Sequence, residues 1–144
     1  EALDLAVRAL INPGEGVAYH EPCYVSYAPL ISLAHGLPQP VVTSHEHGFA
    51  LQADDLRAVI TDQTKVLILN YPNNPTGGVL SKEEAEDIAK VVLENDLIVI
   101  TDEVYAELSY ETKHTSIATL PGMWERTVTL GSAGRRGADR KSHL

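Results

Sequence analysis

The apolar and polar positions along this chain change period several times, and each change marks an element. In "EALDLAVRALI" the residues Ala2, Leu3, Ala6, Val7, Leu10 and Ile11 recur at helical spacing, and "NPGE" ends the run, so the spacing predicts a helix. "GVAYHEP" then reads as a short strand. A helix follows from about Tyr24 to His35, closed at Gly36, where a positive φ is easily adopted. "PVVTS" reads as a second short strand, and "QADDLRAVI" as a helix whose Asp54 and Asp55 favour the positive end of its dipole. "KVLILN" and "DLIVITDE" are apolar throughout, the pattern of strands buried on both faces. Between them "SKEEAEDIAKVVLEN" offers a Ser81/Glu84 capping box and an apolar stripe of Ala85, Ile88, Ala89, Val92 and Leu93. A strand, a helix and a strand in that order predict a right-handed crossover in a parallel sheet, with "TVTL" at 127–130 as a further strand. The fold class is therefore α/β, a mostly parallel sheet with helices on both faces.

Composition narrows this picture. With 144 residues, 44% of them apolar, the chain can bury a core of its own, and no apolar run approaches the roughly 18 to 20 residues that span a bilayer. The first residues lack the basic start of a signal peptide, and Cys23 has no partner for an internal disulfide, so a cytoplasmic location is expected. The formal charge of −9 is unevenly spread: residues 133–144 carry +3 and the other 132 residues carry −12. So acidic a body argues against nucleic acid as a partner. The basic end is short, polar and without periodicity, and reads as a disordered appendage.

The loop "NYPNNPTGG" at 70–78 has more turn-formers than a connection needs. In open α/β sheets, ligands sit beyond the carboxyl ends of the strands, which makes the residues delivered there informative. The first strand delivers "PCYVSY" with Tyr24 and Tyr27, "KVLIL" delivers this loop, "DLIVIT" delivers Asp102, Glu103 and Tyr105, and "TVTL" delivers Gly131 and Ser132. Aromatic faces, an amide, a carboxylate, a phenol and a hydroxyl on one edge suit a flat, polar, phosphate-bearing ring.

"NNPTG" at 73–77, "DEVY" at 102–105 and "PCYVSY" at 22–27, in this order and spacing, resemble the class I/II pyridoxal-phosphate-dependent aminotransferases of the aspartate aminotransferase fold type. The resemblance runs from Glu1 to about Ser132 and identifies 1–132 as part of the cofactor-binding large domain, with 133–144 unrelated to it. It implies pyridoxal 5'-phosphate as cofactor, amino acids and 2-oxo acids as substrates, and a homodimer when the protein is full length. It further implies that Asp102 pairs with the protonated pyridine nitrogen, that Asn74 and Tyr105 hydrogen-bond the ring's phenolic oxygen, that Tyr24 stacks on the ring face, and that Ser132 helps hold the phosphate. Pro72 and Pro75 would stiffen the loop that presents Asn74. Taken singly, these residues have simpler readings: Asn74 as an Asx-type turn, Asp102 as a cap, the tyrosines as half-buried aromatics. Glu103, Glu107 and Tyr110 receive no role beyond solvation or packing.

The chain also departs from that family. Its Schiff-base lysine would lie three residues after Ser132, where Arg135 stands; a permanently protonated guanidinium cannot attack an aldehyde or shuttle a proton, so no catalytic residue is assigned. The role is not transferred to Lys141. The chain covers less than half of a typical member, and the change at Ala133 reads as a truncation, a frameshift or a cloning boundary. Transamination by the chain alone is not expected. A non-catalytic cofactor-binding or interface fragment is the alternative. A nucleotide hydrolase would need a G-x-x-x-x-G-K-[ST] loop that "TGGVLSK" does not supply, and "HEH" at 45–47 reads as surface histidines rather than a metal site.

Overall fold

In a computed structural model of the chain, residues 1–106 and 114–131 are described. Five strands form one sheet in the order β2-β1-β3-β4-β5, all neighbours parallel: β1 (Gly16–Glu21), β2 (Leu37–Val42), β3 (Thr64–Leu69), β4 (Ile98–Asp102) and β5 (Thr127–Leu130). The helices are α1 (Ala2–Leu10), α2 (Tyr27–Leu33), α3 (Ala53–Val59) and α4 (Lys82–Glu94), with short 3-10 turns at His45–His47, Ile117–Thr119 and Trp124–Arg126. The expected α/β architecture is present, and the sheet is wholly parallel.

The continuous apolar runs divide between two cores by the two-residue period of a strand. Val17, Tyr19, Val66, Ile68 and Ile100 face α1 and α2, packing with Val7, Tyr27 and Ile31. Ala18, Leu67, Leu69 and Val99 face the other way, onto Leu56 of α3 and Ala85, Ile88, Ala89 and Val92 of α4. Both faces of the central strands are dry, which is why those strands show no polar alternation.

The capping box of α4 is formed: the Ser81 hydroxyl accepts from the Glu84 N–H at 3.1 Å, and the Glu84 carboxylate accepts from the Ser81 N–H at 2.8 Å. Three details differ from the sequence reading. On α4, Val91 is buried whereas Leu93 is 42% exposed, because the helix also meets the 3-10 turn at Ile117–Thr119 and its buried face is wider than one stripe. Helix α2 begins at Tyr27, not Tyr24, since the chain first makes a bend at Pro22 and a turn at Val25 and Ser26. The positive φ expected at Gly36 falls instead on His35, at 61°; Gly36 has a different reason to be small, because a Cβ there would sit 2.5 Å from Ile11 Cδ1.

Strand β2 starts three residues earlier than "PVVTS" predicted and contains Pro38 and Pro40. It is an edge strand, and residues two apart direct their backbone groups to the same side. Leu37 and Thr43, of the other parity, donate to Glu15 and Glu21 on the β1 side, so the two missing N–H groups fall on the outer edge, where no ladder needs them.

Candidate cofactor site at the carboxyl edge

The loop after β3 is held by its asparagines, each with a separate task. Asn73 closes the loop: its N–H donates to the Gly78 carbonyl at 2.8 Å, its carbonyl accepts from Gly77 at 2.8 Å, and its amide donates to Thr76 Oγ1 and to the Pro22 carbonyl. Gly77 turns the chain with φ at 74°, in the region that glycine enters without cost. Asn70, 1% exposed, joins two strands: its Nδ2 donates to the Asp102 carbonyl at 2.9 Å and its Oδ1 accepts from the Asn74 N–H at 3.0 Å. With these tasks taken, the side chain of Asn74 is directed outward, its Nδ2 3.4 Å from the Tyr105 hydroxyl. Pro72 and Pro75 both follow cis peptide bonds.

Asp102 ends β4. Its Oδ2 accepts from the Tyr27 hydroxyl at 3.0 Å and its Oδ1 lies 3.3 Å from the Val104 N–H. Burial pushes the Tyr27 phenol far above its usual range, and the adjacent Asp102 charge adds to this, so Tyr27 acts only as a neutral donor. Tyr24 meets the Tyr27 ring edge-on, with centroids 6.0 Å apart, and remains 47% exposed, so one face of its ring is open. A cavity of about 470 Å³ beside Tyr24 is lined by Tyr19, Glu21, Cys23, Thr43 and Phe49, but not by Asp102 or Asn74. Burial and the Glu21 charge raise the Cys23 thiol to about 11, leaving it protonated at neutral pH.

The structure thus brings Tyr24, Asn74, Asp102 and Tyr105 to one edge, with Asp102 and Asn74 joined through a single residue. Ser132, Arg135, Lys141, Glu107 and Tyr110 lie outside the described residues. Sequence reasoning passed over Asn70 as a strand end and named Tyr27 without a task; the polar residue closing an otherwise apolar run was the signal for Asn70. Of the two readings given to Glu103, packing rather than solvation applies, its side chain being 10% exposed. Burial alone would raise its pKa, but the His114 imidazole 3.3 Å away, with Ser116 and Thr101, outweighs that and lowers it. This places His114 against the end of β4. The 45–47 histidines form an exposed 3-10 turn, and among the described residues no group of His, Cys, Asp and Glu could hold a metal ion. Nor, among those residues, is any helix long and apolar enough to cross a membrane.

The donors fit the ring of pyridoxal phosphate. An acceptor-only carboxylate suits a protonated pyridine nitrogen, an amide and a phenol 3.4 Å apart can share one anionic oxygen, and an exposed aromatic face suits stacking.

Residues 1–136 match the family "Aminotransferase class I and II", and the chain belongs to it. Among its relatives, it is 51% identical over 130 residues to the putative aminotransferase YugH of Bacillus subtilis and 47% identical over 131 residues to an aspartate aminotransferase of Pyrococcus abyssi, in each case covering 90% of this chain and 34% of the relative. The crystal structure of an aromatic aminotransferase from Pyrococcus horikoshii superposes with a TM-score of 0.88 at 47% identity, over 90% of this chain and 35% of that one. The N-succinyldiaminopimelate aminotransferase of Mycobacterium tuberculosis gives 0.88 at 43% identity, over 92% and 35%. The chain spans about a third of the length of the curated relatives it matches.

Proposed function

We propose that this chain is the ring-binding part of a pyridoxal-phosphate-dependent aminotransferase that moves an amino group between an amino acid and a 2-oxo acid. The observation that carries the reading is the Asp102 carboxylate, oriented by Tyr27 and tied through Asn70 to the Asn74 amide. When bound, the cofactor supplies an electron sink for the bond broken at the amino acid α-carbon. Asp102 holds a proton on the pyridine nitrogen, and its two oxygens are kept in place by the Tyr27 hydroxyl and the Val104 N–H. Asn74 and Tyr105 donate to the phenolic oxygen, Tyr24 covers the ring face, and Ser132 is assigned to the phosphate by its place in the motif.

Arg135 stands where the family's attachment lysine falls, so the isolated chain binds the cofactor non-covalently and does not transaminate. Relatives of 40 to 47% identity are named for aspartate, aromatic amino acids, N-succinyldiaminopimelate and arginine, which indicates that this portion does not choose the amino donor. A cytoplasmic homodimer of the whole protein belongs to the same reading. Titration with pyridoxal phosphate, followed by the cofactor's absorbance, tests the site: saturable binding weakened at least tenfold by Asp102→Ala is expected, and equal binding by both proteins would sink the proposal. Borohydride should fix no cofactor to the chain, and sustained oxo-acid formation from an added amino acid would overturn the claim of inactivity.

A further inference from the structure

We propose that His20 is a positioning residue of this edge: a neutral imidazole with its proton on Nδ1, whose Nε2 lone pair fixes the backbone of Asn70 and through it the spacing of Asp102 and Asn74. The regular pairing of β1 with β3 ends at Tyr19 and Ile68. Two residues further on, the Asn70 N–H has no strand carbonyl opposite it and donates instead to His20 Nε2 at 3.1 Å. The side chain of β1 thus replaces the ladder at the point where β3 becomes the loop. Only an unprotonated nitrogen can accept, so the tautomer follows from the bond.

Other features fix the ring. His20 is 0% exposed and stacks on Tyr71, with centroids 4.6 Å apart and planes at 22°. Tyr71 is itself anchored, donating to the Phe49 carbonyl at 3.0 Å and accepting from the Leu51 N–H at 2.8 Å. Burial depresses the imidazole's pKa to about 4, which keeps the acceptor available at neutral pH. Among the described residues Nδ1 has no hydrogen-bond partner. A buried, unpaired N–H is unfavourable, and an apolar ring of similar size would fill the same space without it. What the imidazole adds is the acceptor for Asn70. That residue carries the bonds to the Asp102 carbonyl and the Asn74 N–H, so a displaced Asn70 would move the groups assigned to the ring nitrogen and to the phenolic oxygen of the cofactor.

The functional meaning of this arrangement rests on the cofactor reading, but its test does not. Imidazole nitrogen shifts of the isotopically labelled 144-residue chain at pH 7 report the tautomer directly. The expected result is a protonated Nδ1 and an unprotonated Nε2 at His20; a protonated Nε2 or a charged ring there would overturn the proposal without any variant having to fold. In His20→Phe, which keeps the stack and removes the acceptor, the Asn70 backbone amide and the Asn74 amide resonances should shift beyond their line widths, while those of α1 and α3 stay in place. His20→Gln, whose Oε1 can reach the Nε2 position, should return both toward the wild-type positions. Unmoved Asn70 and Asn74 signals in the phenylalanine variant would count against the inference. Failure of the chain to bind pyridoxal phosphate would remove the cofactor reading and leave these readouts intact.

Discussion

Strand β4 begins beside one aspartate and ends on another, and the two behave differently. Asp96, just before the strand, has its side chain 93% exposed and pairs with Arg126 at 3.0 Å. Asp102, at the far end, is half-buried and takes a 3.0 Å bond from a fully buried tyrosine. A water-exposed pair is worth about 0 to 1 kcal/mol, because solvent screens it and side-chain entropy opposes it. A hydrogen bond between a buried donor and a charged group is worth about 1.5 to 3 kcal/mol. The same side chain is thus a surface ornament at the amino edge and a fixed electrostatic element at the carboxyl edge. What separates the two is the buried polar group of His20, Asn70 and Tyr27 around Asp102, which has no counterpart at Asp96.

Cutting that network at its centre should have the largest effect. Asn70→Ala strands the Asp102 carbonyl and the Asn74 N–H together, and should lower stability by about 2 to 4 kcal/mol in urea unfolding, since each buried group left unpaired costs about 1 to 3 kcal/mol. A loss below about 1 kcal/mol would mean the carboxyl edge is as loosely held as the amino edge.

Acidification should act on the same edge through His20. Its folded pKa, about 4, lies below its ordinary 6.5, so its contribution is complete above about pH 6.5 and is lost as pH falls toward 4. The total is on the order of 3 kcal/mol. Glu103, whose folded pKa is also lowered, adds a further loss below its ordinary 4.5. Stability measured against pH in wild type and His20→Gln separates the two, because only the upper limb should flatten in the variant.

Tyr27→Phe removes a single donor from Asp102 while keeping the packing, and should cost about 1 to 2 kcal/mol, less than the loss of Asn70 because Asp102 retains access to water. Asp96→Asn is the smallest perturbation. Asparagine tolerates the φ of 50° found there and removes only the exposed charge, so the change should stay within about 0.5 kcal/mol. An effect as large as that of Tyr27→Phe would erase the contrast between the edges.

Much of this was legible in the residues. The Ser81/Glu84 box and the apolar runs of β3 and β4 follow from spacing that local physics enforces, whereas Tyr24, Asn74, Asp102 and Tyr105 were singled out by the resemblance of their motifs to a family. The division of labour in the loop was not legible, because Asn70, Asn73 and Asn74 are chemically identical and differ only in what lies opposite each one. Nor could the sequence tell that Val91 would be buried and Leu93 half-exposed, since that depends on where the 117–119 turn lands on α4.

The chain itself determined its periods, its caps and the order in which strands and polar loops alternate, because backbone sterics and the burial of apolar surface act over a few residues at a time. Tertiary structure alone decided that Tyr27 reaches Asp102 across 75 positions and that His20 stands in for a strand carbonyl at Asn70. Such bonds need two directions and a distance to match at once, and only the assembled sheet supplies both ends of each.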